Sequence, residues 1–193
     1  MHVSFVGLGY IGLPTAVVLA NSGVKVTGVD VNAANVERIN KGQVTIVEPG
    51  LEEELQQAID SGNFSATTSQ VEADAYVLAV PTPFNSDHSV DMRYIYSAAE
   101  AIAPQLKGGE IVVLESTSPP LTTEKMARRI LELREDLVAD GEDNPEGKPT
   151  VYFAHCPERI LPGFAMEELR TNDRIIGGLS LIHISEPTRQ EAI

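Results

Sequence analysis

Apolar positions along the chain follow two alternating rhythms. Short runs dominated by apolar and β-branched residues at 3–6, 24–29, 64–67, 75–80, 110–114 and 151–154 predict strands, most of them buried on both faces. Between them, 11–21, 33–40, 51–59, 94–106 and 122–138 are predicted as helices; Leu13, Ala16, Val17 and Ala20 show the three-and-four spacing of one buried face. The helix at 51–59 carries acids in its first turn, where the helix dipole favours them. Residues 44–50 read as an extended segment closed by a Pro-Gly turn, 139–149 as an acidic exposed loop, and 174–178 as a last short strand. Strands alternating with helices predict an α/β fold, doubly wound around a mostly parallel sheet.

The first thirty residues organise the rest. Gly7-Leu8-Gly9-Tyr10-Ile11-Gly12 leaves the first strand and opens the first helix, and the second strand ends in Asp30, eighteen residues past Gly12. This is the arrangement of a Rossmann-like dinucleotide-binding unit. Gly7 permits the tight turn, Gly9 lets a pyrophosphate approach the backbone, and Gly12 lets the helix lie close to the sheet. The free amides at the helix start then face the phosphates. Asp30 is placed to accept hydrogen bonds from ribose hydroxyls, and its charge opposes a 2′-phosphate. No arginine follows immediately, so the expected cofactor is NAD rather than NADP. The plainer alternative is a glycine-rich turn and an aspartate that caps the next helix.

Three later strand ends carry loops of matched character, which open α/β sheets use for ligands. Pro81-Thr82-Pro83-Phe84 either holds the Thr82 hydroxyl toward a ligand or is a stiff turn with a solvent-facing threonine. Glu115-Ser116-Thr117-Ser118-Pro119-Pro120 is a second hydroxyl-rich, proline-stiffened loop, after which Thr122 or Thr123 can serve as a helix N-cap. The third runs from His155 through Cys156, Pro157, Glu158, Arg159 and Ile160 to Gly163.

Composition narrows the function. The 193 residues suit one α/β domain, or one domain plus a fragment of the next, and a formal net charge of −14 argues against a nucleic-acid partner. No apolar run approaches membrane-spanning length and the chain enters a strand directly, so no membrane association, no signal peptide and a cytoplasmic location are expected. The single cysteine excludes an internal disulfide and a cysteine-rich zinc site, and no metal site is expected.

Taken together, GLGYIGLP, IVEPGL, VPTPF, ESTSPP and HCPERILPG resemble, in this order, the nucleotide-sugar dehydrogenase family, across residues 1–179. The resemblance implies an NAD-dependent enzyme that oxidises the C6 hydroxyl of a UDP- or GDP-sugar to a carboxylate in two hydride transfers. It implies a UDP-sugar substrate and a homo-oligomeric full-length protein. By matching motif positions, Tyr10, Ile11, Asp30, Thr82 and Thr123 contact NAD, and Arg159 and the Ile160 backbone contact the nucleotide-sugar. Thr117 and Glu158 match positions that help organise water and the reacting C6 group. Leu121 departs from the pattern, standing where the family commonly has glycine. The family's catalytic lysine and cysteine fall beyond this chain, so the chain is expected not to turn over substrate alone. Cys156 is expected to be a buried small hydrophobe and His155 a packing or supporting residue. Residues 180–193, SLIHISEPTRQEAI, differ from the helix expected there, are similar to a translated sequencing adapter, and are read as a non-native tail.

Overall fold

The computed structural model of the chain describes residues 1–87 and 89–180. All but the first residue of the segment read as a non-native tail therefore lie outside the described residues. Among the described residues eight strands form one sheet: β1 (His2–Val6), β2 (Lys25–Val29), β3 (Phe64–Thr67), β4 (Ala75–Leu78), β5 (Ile111–Leu114), β6 (Val138–Ala139), β7 (Thr150–His155) and β8 (Gly177–Gly178). Their order is β3-β2-β1-β4-β5-β7-β6, every neighbouring pair is parallel, and β8 adds antiparallel to β7. The chain winds outward from β1 to β3, then returns to the other side of β1 with β4. The β1/β4 boundary is thus the switch point of a doubly wound sheet, where the strand ends open a crevice.

Six α-helices accompany the strands among the described residues: α1 (Gly12–Asn21), α2 (Ala33–Ile39), α3 (Leu51–Asp60), α4 (Arg93–Ile102), α5 (Thr122–Leu133) and α6 (Ala165–Thr171). Side chains alternate across a strand, and the core divides accordingly. Val3 and Phe5 of β1 pack with Leu13 and Val17 of α1 and Leu55 of α3, whereas Val6 packs with Tyr76, Leu78, Ile95 of α4 and Met126 of α5. Tyr76 is fully buried, and its hydroxyl donates to Val71 O and accepts from the Ala73 amide, both at 3.1 Å. No helix among the described residues is long and apolar enough to cross a membrane.

The structure corrects the sequence at the end of α5. The helix stops at Leu133 rather than near residue 138, because Arg134 turns its guanidinium back onto Ala103 O (2.7 Å) and Leu106 O (2.5 Å). Leu137, Val138 and Ala139 are then buried, the last two as the edge strand β6 rather than as a last helical turn and the start of a loop. Only Gly177–Gly178 of the expected 174–178 strand pairs. Helix α6 was not expected at all; seven residues hold too few apolar positions to show a period, and Met166 is its anchor in the core.

Candidate active site

The three glycines of the first loop do different work. Gly7 has φ +97, its amide donates to Val29 O at 2.8 Å, and a Cβ there would lie 2.5 Å from Ala79 O. At Gly12 a Cβ would lie 2.0 Å from Gly7 O and 3.1 Å from Ala79 Cβ, so α1 leaves the sheet in contact with its own loop and the segment after β4. At Gly9 a Cβ would meet nothing within 4 Å. The start of α1 has Ile11 as N-cap, no side-chain cap and no acid in its first turn, which leaves the positive end of the helix free for an anion.

Asp30 stands directly beside this loop. Its Oδ2 accepts from the Leu8 amide and its Oδ1 from the Asn32 amide, both at 2.9 Å, which fixes the carboxylate while each oxygen keeps lone-pair capacity. A cavity of about 460 Å³ opens here, lined by Leu8, Gly9, Asp30, Asn35, Arg38 and Ile46 among others. Arg38 was not placed at the site from sequence. Asn35 and Arg38, three apart on α2, share the helix face that lines this cavity.

Tyr10 turns away from Asp30 toward the loop after β7. Its hydroxyl donates to Glu48 Oε2 at 2.5 Å and accepts from the Gly163 amide at 3.1 Å. Glu48, in the segment before α3, is only 7% exposed. Burial pushes its carboxyl upward, but hydrogen bonds from Tyr10 and the amides of Gly163, Ala165 and Met166 outweigh that and hold it below the ordinary glutamate range. An acid between Val47 and Pro49 in an otherwise apolar stretch was its sequence signal. Ile11, next to Tyr10, accepts from the Thr15 hydroxyl and amide through its carbonyl, at 2.9 and 3.2 Å.

Thr82 and Thr117 are brought together. The Thr82 hydroxyl donates to Thr117 O at 2.9 Å, tying the loop after β4 to the loop after β5, while the Thr117 side chain is exposed. Thr123 lines a cavity of about 370 Å³ with Ser118, Leu121, His155 and Gly178 among others. His155 Nδ1 lies 2.9 Å from Leu114 O; a carbonyl can only accept, so Nδ1 carries a proton in this contact. Neither threonine caps α5: the Thr122 hydroxyl donates back to Pro119 O at 2.7 Å, and the N-cap is Leu121, with no side-chain bond.

Leu121 is the one non-glycine residue of positive φ (69°) among the described residues, and its side chain is 61% exposed. A left-handed backbone crowds any Cβ, which explains why glycine suits the position. Leu121→Gly is expected to raise stability by about 1 kcal/mol in urea unfolding, the strain relieved exceeding the added freedom of the unfolded chain. An unchanged or lower midpoint would show that the leucine conformation carries no strain.

Glu158 belongs to a charged cluster, built around the buried Glu115, that the sequence did not reveal. Arg174 Nη2 lies 2.6 Å from Glu158 Oε2, as an ion pair without hydrogen-bond alignment, and Arg174 Nη1 donates to Glu115 Oε1 at 3.1 Å. Glu115 is 2% exposed and its Oε2 has no hydrogen-bond partner. Burial is the main cause that pushes its carboxyl up to about 7, against the opposing pull of Arg174 and with Glu158 adding to the rise. Cys156 is buried, its Sγ 3.9 Å from Arg174 Nη1. Arg159 is exposed; its amide donates to Glu158 Oε1 at 2.7 Å and its guanidinium to Asp173 O at 2.9 Å, beside the half-buried Ile160.

Every expected site residue therefore stands in a loop at the carboxyl end of a parallel strand or in the helix start that follows one. A family model described as "UDP-glucose/GDP-mannose dehydrogenase family, NAD binding domain" matches residues 1–188. UDP-N-acetyl-D-mannosamine dehydrogenase of Escherichia coli (strain K12) is 50% identical over 178 residues, 92% of this chain and 42% of that protein. NDP-N-acetyl-D-galactosaminuronic acid dehydrogenase of Ralstonia solanacearum is 49% identical, with the same coverage. The solved UDP-N-acetyl-mannosamine dehydrogenase of Staphylococcus aureus superposes with a TM-score of 0.83 at 40% identity, over 93% of this chain and 42% of that one. The chain thus spans about two fifths of the length of the relatives it matches. With the glycine loop, the switch-point crevice and these likenesses in agreement, the chain belongs to the UDP-glucose/GDP-mannose dehydrogenase family, whose NAD-binding domain it forms.

Proposed function

We propose that this chain holds NAD across the carboxyl ends of β1, β2, β4 and β5 and serves the oxidation of UDP-N-acetyl-D-mannosamine to its uronate. The observation that carries the reading is the contrast between the glycines. Protein crowds Gly7 and Gly12, while Gly9 faces open space beside the uncapped start of α1. In this reading the glycine loop receives the pyrophosphate, with Tyr10 and Ile11 flanking it, and Asp30 receives the adenosine ribose. Thr82 and Thr123 stand at the nicotinamide end. NAD supplies a hydride acceptor when bound. Thr117 and Glu158 orient water and the C6 group, Arg174 keeps the Glu158 carboxylate in place, and Arg159 and Ile160 receive the nucleotide-sugar. The likeness to the E. coli and S. aureus proteins supports the sugar, and the reading places the protein in the cytoplasm as part of a homo-oligomer.

Calorimetric titration of NAD into the chain and into Asp30→Ala tests the cofactor half. Loss of charge-assisted bonds to ribose hydroxyls costs about 1.5–3 kcal/mol, so Kd should rise roughly 10- to 150-fold. NADP should bind the wild type more weakly than NAD. Equal NAD affinity in both proteins would remove Asp30 from the site.

A sister sugar is the second reading, because the R. solanacearum relative, at 49% identity against 50%, is nearly as similar as the E. coli one and its name carries a galactosamine-type sugar. Competing titrations of the two nucleotide-sugars separate the readings, and preference for the galactosamine type would replace the first.

A further inference from the structure

Glu48 lies in a segment without regular structure, yet both of its carboxylate oxygens are committed. Oε2 accepts from Tyr10 Oη at 2.5 Å and from the Gly163 amide at 2.9 Å, and Oε1 accepts from the Ala165 amide at 2.6 Å. Three segments thus meet at one side chain: the glycine loop, the segment before α3, and the end of the loop that carries Glu158, Arg159 and Ile160. The Tyr10 hydroxyl is committed as well, donating to Glu48 and accepting from Gly163. Its proton is not available to a ligand, which leaves the ring and backbone of Tyr10 to meet one.

Capping of α6 does not account for this arrangement. A carboxylate at a helix start needs only the helix amides, which Ala165 and Met166 supply, whereas Gly163 lies before the N-cap Phe164. The bond from Tyr10 adds nothing to a cap, but it joins the cap to the glycine loop. On the far side the fastening is firm: Met166 is buried against α1, Arg170 pairs with Glu54 of α3, and the Leu161 amide donates to Glu168 Oε2 at 2.7 Å.

Resting on the function proposed above, we propose that Glu48 is a positioning residue that couples the two ligand loops. Through Tyr10, NAD on the glycine loop orders the 158–165 segment, and nucleotide-sugar on that segment orders Tyr10. The coupling is reciprocal by thermodynamic necessity, and couplings of this kind change affinity by about 5- to 150-fold. No bond is made or broken; a ligand that fixes Tyr10 favours the arrangement in which Gly163 and Ala165 are bonded.

Amide hydrogen exchange at Gly163 and Ala165 tests this in the 193-residue chain, at neutral pH, with and without NAD at a concentration that calorimetry shows to be saturating for each variant. In wild type, NAD should slow exchange at both amides at least about 5-fold. In Tyr10→Phe the ligand-free protection should persist, since Glu48 still accepts both amides, while the NAD-dependent gain disappears. In Glu48→Gln both should fall. A purely structural Glu48 would leave the NAD-dependent gain intact in Tyr10→Phe, and that result overturns the coupling. NAD binding to wild type without any slowing at Gly163 and Ala165 overturns it too and leaves the NAD-binding reading standing. Absence of NAD binding to the wild-type chain overturns both.

Discussion

Gly9→Val is expected to abolish NAD binding, raising Kd about 100-fold or more, while the chain stays folded. A valine side chain would occupy the open space that the pyrophosphate needs, and loss of two charge-assisted hydrogen bonds of about 1.5 kcal/mol each already gives that factor. The backbone tolerates the change, since Gly9 does not hold positive φ and its Cβ would meet nothing within 4 Å. Stability should therefore move by about 1 kcal/mol or less. Gly12→Ala makes the opposite prediction. Its Cβ would lie 2.0 Å from Gly7 O, a backbone atom that cannot rotate aside, so α1 must shift from the sheet. Overpacking of this severity costs about 3 kcal/mol or more. Circular dichroism melts and NAD calorimetry on both variants decide the matter. A Gly9→Val chain that is folded and still binds NAD normally would place the pyrophosphate elsewhere, and a Gly12→Ala chain of normal stability would refute the close helix contact.

Glu115→Gln is expected to make the protein more stable in mild alkali and no more stable in acid. The folded carboxyl titrates at about 7 against an ordinary value of 4.5, because burial opposes its charge. The sign follows from linkage. Below 4.5 both folded and unfolded chains hold the proton, and the favourable contribution is fully present. As pH rises from 4.5 to about 7 the unfolded chain ionises first, so stability falls, and above 7 the loss is complete. The full difference is about 3 kcal/mol. Gln cannot ionise, and its side-chain carbonyl can still accept from Arg174, so the variant avoids this loss. The groups facing position 115 are Arg174 and Glu158, with Cys156 reached through Arg174; Thr15 lies close, but its hydroxyl already donates to Ile11 O. Urea unfolding at pH 5 and pH 8 measures the effect. A wild-type and variant difference that does not grow between those values would show that Glu115 ionises normally, with Arg174 compensating its burial.

Much of this protein follows from local sequence. Alternating strand and helix patterns specify the winding, because burial of one helix stripe or both strand faces imposes a period on each segment separately. The glycine loop is legible for the same reason: Gly7, Gly9 and Gly12 answer constraints set within a few residues and by the neighbouring strand, and Asp30 closes the same unit. Proline-stiffened loops at 81–84 and 115–120 mark the strand ends where ligands bind in open sheets.

What only the tertiary structure decided involves residues far apart in sequence. Glu48 meets Tyr10 and Gly163 across separations of 38 and 115 residues, and Arg174 meets Glu115 and Glu158 from the irregular segment before β8, whose sequence predicts nothing about its side-chain partners. Helix α5 ends early because Arg134 finds carbonyls near residue 105, not because its own sequence stops being helical. Leu121 takes a left-handed conformation that no leucine prefers, and the raised carboxyl of Glu115 exists only once neighbouring strands have removed water from it. Backbone preference and hydrophobic period act between near neighbours, so sequence expresses them directly. Charge pairing and desolvation act through space, and their partners are chosen only when the sheet brings the strand ends side by side.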